Sequence, residues 1–143
     1  MELKIEISNG LSILPFRCST EVVRGIFGEP EETEELDNAC DGSLESIAWN
    51  YDEKGLIFFF DVTSMEPSLS TIETDNQDAE LFGEKIFKLK REELINLMKS
   101  KGFGEFEEEE ETWGEQRLTY EEAQIDFYFN DQDLSLVSWS CFE

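Results

Sequence analysis

The chain has 143 residues, 39% of them hydrophobic and 13% aromatic, which is enough to bury a core and excludes a disordered polymer. Its 35 acidic and 11 basic residues leave a net charge of -24, which disfavours direct contact with nucleic-acid backbones or anionic membrane surfaces. The same charge favours a cationic protein as partner and steers its encounter, although acidity also serves plain solubility.

Residues 2–7 place Leu3, Ile5 and Ile7 on one face and Glu2, Lys4 and Glu6 on the other, the period of a strand. Asn9-Gly10 predicts a turn, with Leu11 to Leu14 returning as a second strand. Ser19 or Thr20 caps a predicted helix carrying Val22, Val23, Ile26 and Phe27 on one side, and Gly28 and Pro30 end it. An acidic loop is expected next, with six carboxylates between Glu29 and Asp37. Ser46 to Tyr51 reads as a strand with Ile47, Trp49 and Tyr51 on one face. GLIFFFDV follows a turn at Lys54-Gly55, and LSTIE follows a loop through Pro67.

The pattern then restarts. KREELINLMKSKG carries a helical stripe of Leu94, Ile95, Leu97 and Met98, with Gly102 past its end. A second acidic loop holds six Glu between Glu105 and Glu111. QRLTY, QIDFYFN and LSLVSW complete the set as strands, the last two joined by a tight turn at Asn130 to Asp133.

WNYDEKGLIFFFD aligns with LTYEEAQIDFYFN so that Tyr51 matches Tyr120 and Phe60 matches Phe129. The expected architecture is therefore α+β: two tandem helix-plus-antiparallel-sheet repeats, 1–74 and 75–143, sharing one sheet in a single domain with helices on one face. The second copy also assigns the strand faces of the first. Ile125, Phe127 and Phe129 alternate with Asp126, Tyr128 and Asn130, and an unpaired buried Asp126 would be costly, so the first set belongs to the core. By correspondence Leu56, Phe58 and Phe60 are core. Ile57, Phe59 and Asp61, with Asp126, Tyr128 and Asn130, then form the opposite face and are the candidate binding residues, unless a terminal segment covers them.

The series STEVVRGIFGEP, WNY, GLIFFFD and LSTI resembles the helix-and-sheet repeat of β-lactamase inhibitor proteins and of small outer-membrane assembly lipoproteins. It is also similar to tandem repeats found among bacterial toxin-immunity proteins. The resemblance covers residues 16–73, and 86–139 more loosely. It implies a fold in which two units form a concave sheet that grips a target protein. The motifs that carry it are structural, so it speaks to fold before function.

Catalytic chemistry finds little support. The chain has no histidine, the commonest general base and metal ligand. Gly102-Phe103-Gly104 lacks the Lys and Ser or Thr of a phosphate loop, and the Asn130–Asp133 segment lacks the Gly and later Glu of a calcium loop. Cys18, Cys40 and Cys141 have no CxxC spacing, which points away from a disulfide framework or zinc site. No cofactor or metal is expected. The N-terminus lacks the basic start and continuous apolar run of a signal peptide, and Cys18 follows Pro15-Phe16-Arg17 where a lipidated Cys needs small residues. A cytoplasmic location is the expectation. Six of the 11 basic residues (Lys85, Lys88, Lys90, Arg91, Lys99 and Lys101) lie on or beside the second helix, and Lys90 and Arg91 sit where its dipole disfavours cations, which suggests a contact role.

The function expected is that of a non-enzymatic protein-binding module, such as a toxin-neutralising immunity or inhibitor protein, using the open sheet face and the acidic loops. Two alternatives belong to other classes. One is an acidic DNA mimic that inhibits a nucleic-acid-binding protein. The other is a small-ligand-binding domain, which a pocket with convergent polar groups would favour.

Overall fold

In the computed structural model, residues 3–37, 40, 42–63 and 66–141 are described. Period-two alternation produces most of the structure. The strands are β1 (Leu3–Glu6), β2 (Gly10–Leu11), β3 (Leu14–Pro15), β4 (Glu32–Asp37), β5 (Leu44–Tyr51), β6 (Leu56–Asp61) and β7 (Ser68–Thr74). They continue with β8 (Ala79–Leu81), β9 (Glu84–Lys85), β10 (Glu107–Glu110), β11 (Gln116–Tyr120), β12 (Ile125–Asn130) and β13 (Asp133–Ser140). Helix α1 (Thr20–Phe27) follows β3, and α2 (Arg91–Ser100) follows β9.

Eight strands form one antiparallel sheet in the order β10-β11-β12-β13-β7-β6-β5-β4. Five short strands form a second sheet, β3-β2-β1-β8-β9, in which β1 and β8 run parallel. This arrangement overturns the expected α+β scheme of two tandem helix-plus-sheet repeats with helices on one face. The described chain is mostly strand, with two helices of eight and ten residues. Much of what covers the large sheet is itself a sheet, assembled from the first strands of the chain and the segment that follows β7. Leu3 pairs with Ala79 and Ile5 with Leu81, so the N-terminal strand is completed by residues that follow β7.

One hydrophobic core fills the space between the layers. From the large sheet come Leu56, Phe58, Phe60, Leu69, Ile72, Leu118, Tyr120, Ile125, Phe127, Phe129, Val137 and Trp139, all nearly or fully buried. Leu3, Ile5, Leu11, Leu14, Ala79 and Leu81 of the small sheet join the same cluster. Trp139 spans the two sheets: its indole N–H donates 2.9 Å to the Gly10 carbonyl. Strand-face alternation thus places Leu56, Phe58 and Phe60 inside, at 1%, 0% and 0% exposure.

Helix α1 is capped by the Ser19 hydroxyl, which accepts from the Val22 amide at 3.4 Å. It buries Val23 and Phe27, one turn apart, and Phe27 packs 5.1 Å from the Phe58 ring. Val22 and Ile26 were expected on the buried side, but they are rotated about 100° per residue away and remain exposed. Gly28 stops the helix at φ 81, and the Tyr51 hydroxyl donates 2.8 Å to the Gly28 carbonyl, tying the helix end to the large sheet.

The segments expected as acidic loops are in large part the two edge strands of the large sheet, β4 and β10. Acidic edges deter pairing with another edge. The basic residues at the start of α2 also have structural partners. Lys90 Nζ lies 2.7 Å from the Asp133 carboxylate and Arg91 lies 2.9 Å from that of Glu108, while the Arg91 amide donates to the Gln132 carbonyl at 3.2 Å. These contacts pin α2 to the β12–β13 turn and to β10, which supplies the structural role that the helix dipole argued against.

Candidate functional site

The face of the large sheet turned away from the core has no helix or strand stacked on it among the described residues. Its half-buried apolar side chains, Ile57, Phe59 and Leu136, take no part in the core cluster. The neighbouring strands continue this face in register. Ile57 stands beside Glu73, Glu73 beside Ser138, and Ser138 beside Asp126, so one row crosses four strands. A second row runs from Phe59 to Thr71 to Ser140, and a third pairs Tyr128 with Leu136 and with Arg117.

The six candidate binding residues therefore share this face but are not one contiguous patch. Ile57, Phe59 and Asp61 are on β6, and Asp126, Tyr128 and Asn130 are on β12. Strands β7 and β13 lie between them, a separation of three strand spacings or roughly 14 Å. Because β6 and β12 run in opposite directions, Phe59 and Tyr128 fall on opposite sides of the central row, and Asp61 and Asn130 at opposite corners. Only Ile57 and Asp126 share a row. Asn130 is exposed at the hairpin end, and Asp61 accepts from the Thr63 amide at 2.8 Å and the Thr63 hydroxyl at 2.6 Å. Those two bonds, helped by the Arg17 cation, hold the Asp61 carboxyl below the usual carboxylate range.

Glu73 and Leu136 were missed as members of this face, together with Ser138. The β7 and β13 strands were expected, but a bulge in each breaks the simple alternation that would have assigned their faces. Glu73 sits near the centre. Burial pushes its carboxyl up, the Ser138 hydrogen bond partly offsets this, and Asp126 beyond Ser138 pushes it up further. Tyr128 is likewise pushed up by burial, partly countered by its hydrogen bond with Arg117. Arg117 also contacts the Glu109 carboxylate, and its Nε lies 3.2 Å from that of Glu111, so this cation is engaged within the sheet.

The raised Glu73 pKa has a defined consequence for stability. The folded state holds the proton more tightly than the unfolded chain, so the contribution of Glu73 weakens as pH rises through and above the ordinary 4.5. Glu73→Gln is expected to raise the thermal midpoint at neutral pH and to leave it unchanged where the wild-type carboxyl is already protonated. Thermal melts of both proteins across this pH range check the sign: a lower midpoint for the variant at neutral pH would contradict it.

No family model matches the sequence, and no curated protein does. Among solved structures, the uncharacterized protein yfeY from Escherichia coli is similar, with a TM-score of 0.53 and 12% identity across 98% of this chain and 99% of that one. At that identity the likeness is one of fold alone. No helix of the described residues is long and apolar enough to cross a membrane.

Proposed function

We propose that this chain is a non-enzymatic protein-binding module that docks a cationic protein on the outer face of the large sheet. The observation that carries the proposal is the uncovered central row. Two carboxylates, Glu73 and Asp126, lie across Ser138 with no basic residue in register between Ile57 and Asp126, and Phe59, Ile57, Leu136 and Tyr128 stand around them. Aromatic and aliphatic anchors beside charge that lacks a local counter-ion suit a partner surface that brings lysine or arginine next to apolar side chains. The net charge of -24 would raise the encounter rate with such a partner.

A toxin-neutralising immunity or inhibitor protein acting in the cytoplasm has these requirements, since its target is held by surface complementarity and needs no chemistry from the inhibitor. The absence of histidine supports the non-enzymatic role. Affinity capture from the cytosol of the source organism tests it. The expected result is a basic protein, retained at low salt and released as salt rises. Retention of an acidic protein, or of a basic one indifferent to salt, would contradict the proposal. Displacement of the captured protein by duplex DNA would favour the DNA-mimic alternative.

A further inference from the structure

A cavity of about 850 Å³ opens at one end of the large sheet, where the ends of β5, β6, β7 and β13 meet the segment before α1. Three backbone irregularities converge on it. Phe59 pairs with Thr71 and Phe60 with Leu69, so Ser70 bulges between them. Arg17 and Gln124 both line the cavity with left-handed backbones, at φ 71 and 51, a conformation that costs a non-glycine residue energy. Main-chain bonds hold Arg17 in place: its amide donates to the Leu69 carbonyl at 2.7 Å, and the Leu69 amide to the Cys18 carbonyl at 2.9 Å.

The other half of the sheet shows what fills such a place when it is closed. Tyr128 pairs with Leu136 and Phe129 with Leu134, so Ser135 bulges as Ser70 does. Each bulged serine donates to a carbonyl of the adjacent strand, Ser70 to Phe59 at 3.2 Å and Ser135 to Tyr128 at 2.9 Å. The Ser135 hydroxyl also contacts the Glu115 carboxylate. Glu115 precedes Gln116, which pairs with Phe129; the residue that precedes Ile47, which pairs with Phe60, is Ser46. A short serine thus stands where the other half has a glutamate that reaches its bulge. Ser46 and Ser70 both line the cavity.

The lining selects a ligand class by elimination. Arg17, Glu45 and Asp61 bring one excess negative charge, within a chain that is itself strongly acidic, so an anion is disfavoured. Arg17 acts on the Asp61 carboxylate, which weakens the pull of that wall on a cation. The aliphatic side chain in the lining, Leu69, is itself fully buried and offers little to an apolar molecule. The remaining groups are hydroxyls of Ser46, Thr63, Ser68, Ser70, Thr71 and Ser140, with the Gln124 amide and the half-buried Cys141 thiol. We propose that this cavity binds a neutral, polyhydroxylated small molecule of about monosaccharide size, whose hydroxyls donate to Asp61 and Glu45 and accept from Arg17. The volume falls in the range of about 300–1,000 Å³ typical of small-molecule sites. The cavity borders the protein-docking face and shares Asp61, Thr71 and Ser140 with it, but the choice of a small-molecule ligand does not rest on the docking proposal.

Amide spectra of the ¹⁵N-labelled full chain test it, with D-glucose, D-galactose and myo-inositol as neutral probes and glucose 6-phosphate and lysine as charged ones. At least one neutral probe is expected to give saturable shifts at Asp61, Thr63, Ser70 and Ser140, with a Kd on the order of 1 mM. Ser46→Glu should plug the cavity as Glu115 does in the other half, weakening that binding at least about tenfold while the amide pattern of β11–β13 is kept. Asp61→Asn, at an exposed end of β6, provides a second variant expected to weaken binding if Ser46→Glu fails to fold. The proposal is overturned if none of the three neutral probes shifts these amides, if a charged probe shifts them more strongly, or if the folded variants bind as the wild type does.

Discussion

Trp139→Ala is expected to lower folding stability by about 3–5 kcal/mol, the usual range for truncating a buried large aromatic side chain. Trp139 is 0% exposed and lies in β13, the central strand that pairs with both β12 and β7. Its removal leaves a void between the two sheets, and it strands the Gly10 carbonyl that the indole N–H now satisfies at 2.9 Å. Gly10 cannot shift freely to repair this. It sits at φ 112, and a Cβ there would come within 2.5 Å of the Leu14 carbonyl oxygen, so the hairpin that carries it is tightly closed. Trp139→Phe keeps most of the apolar volume while losing the hydrogen bond, worth about 1 kcal/mol, and leaving a smaller void than alanine, so its cost is expected to lie between that value and the loss for the alanine variant. Urea denaturation of the three proteins measures both values. A loss below about 1 kcal/mol for the alanine variant would mean that the small sheet is not packed on the large one through this residue.

The double variant Phe59→Ala, Tyr128→Ala is expected to weaken binding of the captured cationic partner by at least about a hundredfold, as loss of two aromatic anchors of roughly 2 kcal/mol each implies even with incomplete additivity. The two side chains flank the central row from opposite sides, so a partner spanning Glu73 and Asp126 meets both. Neither ring belongs to the core cluster, so stability should change far less than affinity. The thermal midpoint is measured alongside the Kd for that reason. Affinity that falls only in step with the midpoint would assign the rings a structural role. Each single variant should show an intermediate effect, and the salt dependence should persist in all of them because the carboxylates remain.

The sequence carried the strand faces further than the architecture. Ile125, Phe127 and Phe129 alternate with polar residues, and that alternation identifies the buried side of GLIFFF, where six consecutive apolar or glycine positions offer no period of their own. All three of Leu56, Phe58 and Phe60 are buried accordingly. The small sheet was legible only in part. The period of residues 2–7 shows β1 and the Asn9-Gly10 turn its return, but β2, β3, β8 and β9 are two or three residues long, too short to display a period, and the parallel pairing of Leu3–Ile5 with Ala79–Leu81 joins segments far apart in the chain. Without that sheet, the chain reads as two helix-covered units, which is the scheme the structure overturns.

The acidic stretches misled for a different reason. Glu107–Glu110 has the composition of a solvated loop, yet it forms an edge strand whose charge is partly met by Arg91 on Glu108 and Arg117 on Glu109. Pairing with β11 decides its conformation, and composition does not report it. For the site, the sequence supplied residues on both flanking strands but not the ones between them. Glu73 and Ser138 complete the row from Ile57 to Asp126, and only the strand order, with β7 against β13 at the centre, brings them there. The same order separates Phe59 from Tyr128, two residues that the sequence alone assigned to one face.

The central claim, that a cationic protein docks on the outer face of the large sheet, is tested most directly by side-chain NMR of this protein bound to its captured partner. Methyl and aromatic resonances of Ile57, Phe59, Leu136 and Tyr128 are expected to shift together on binding. The exposed Val22 and Ile26 of α1 are expected to stay unmoved. Shifts at Val22 and Ile26 with the sheet face silent would contradict the account and move the interface to the other side of the molecule.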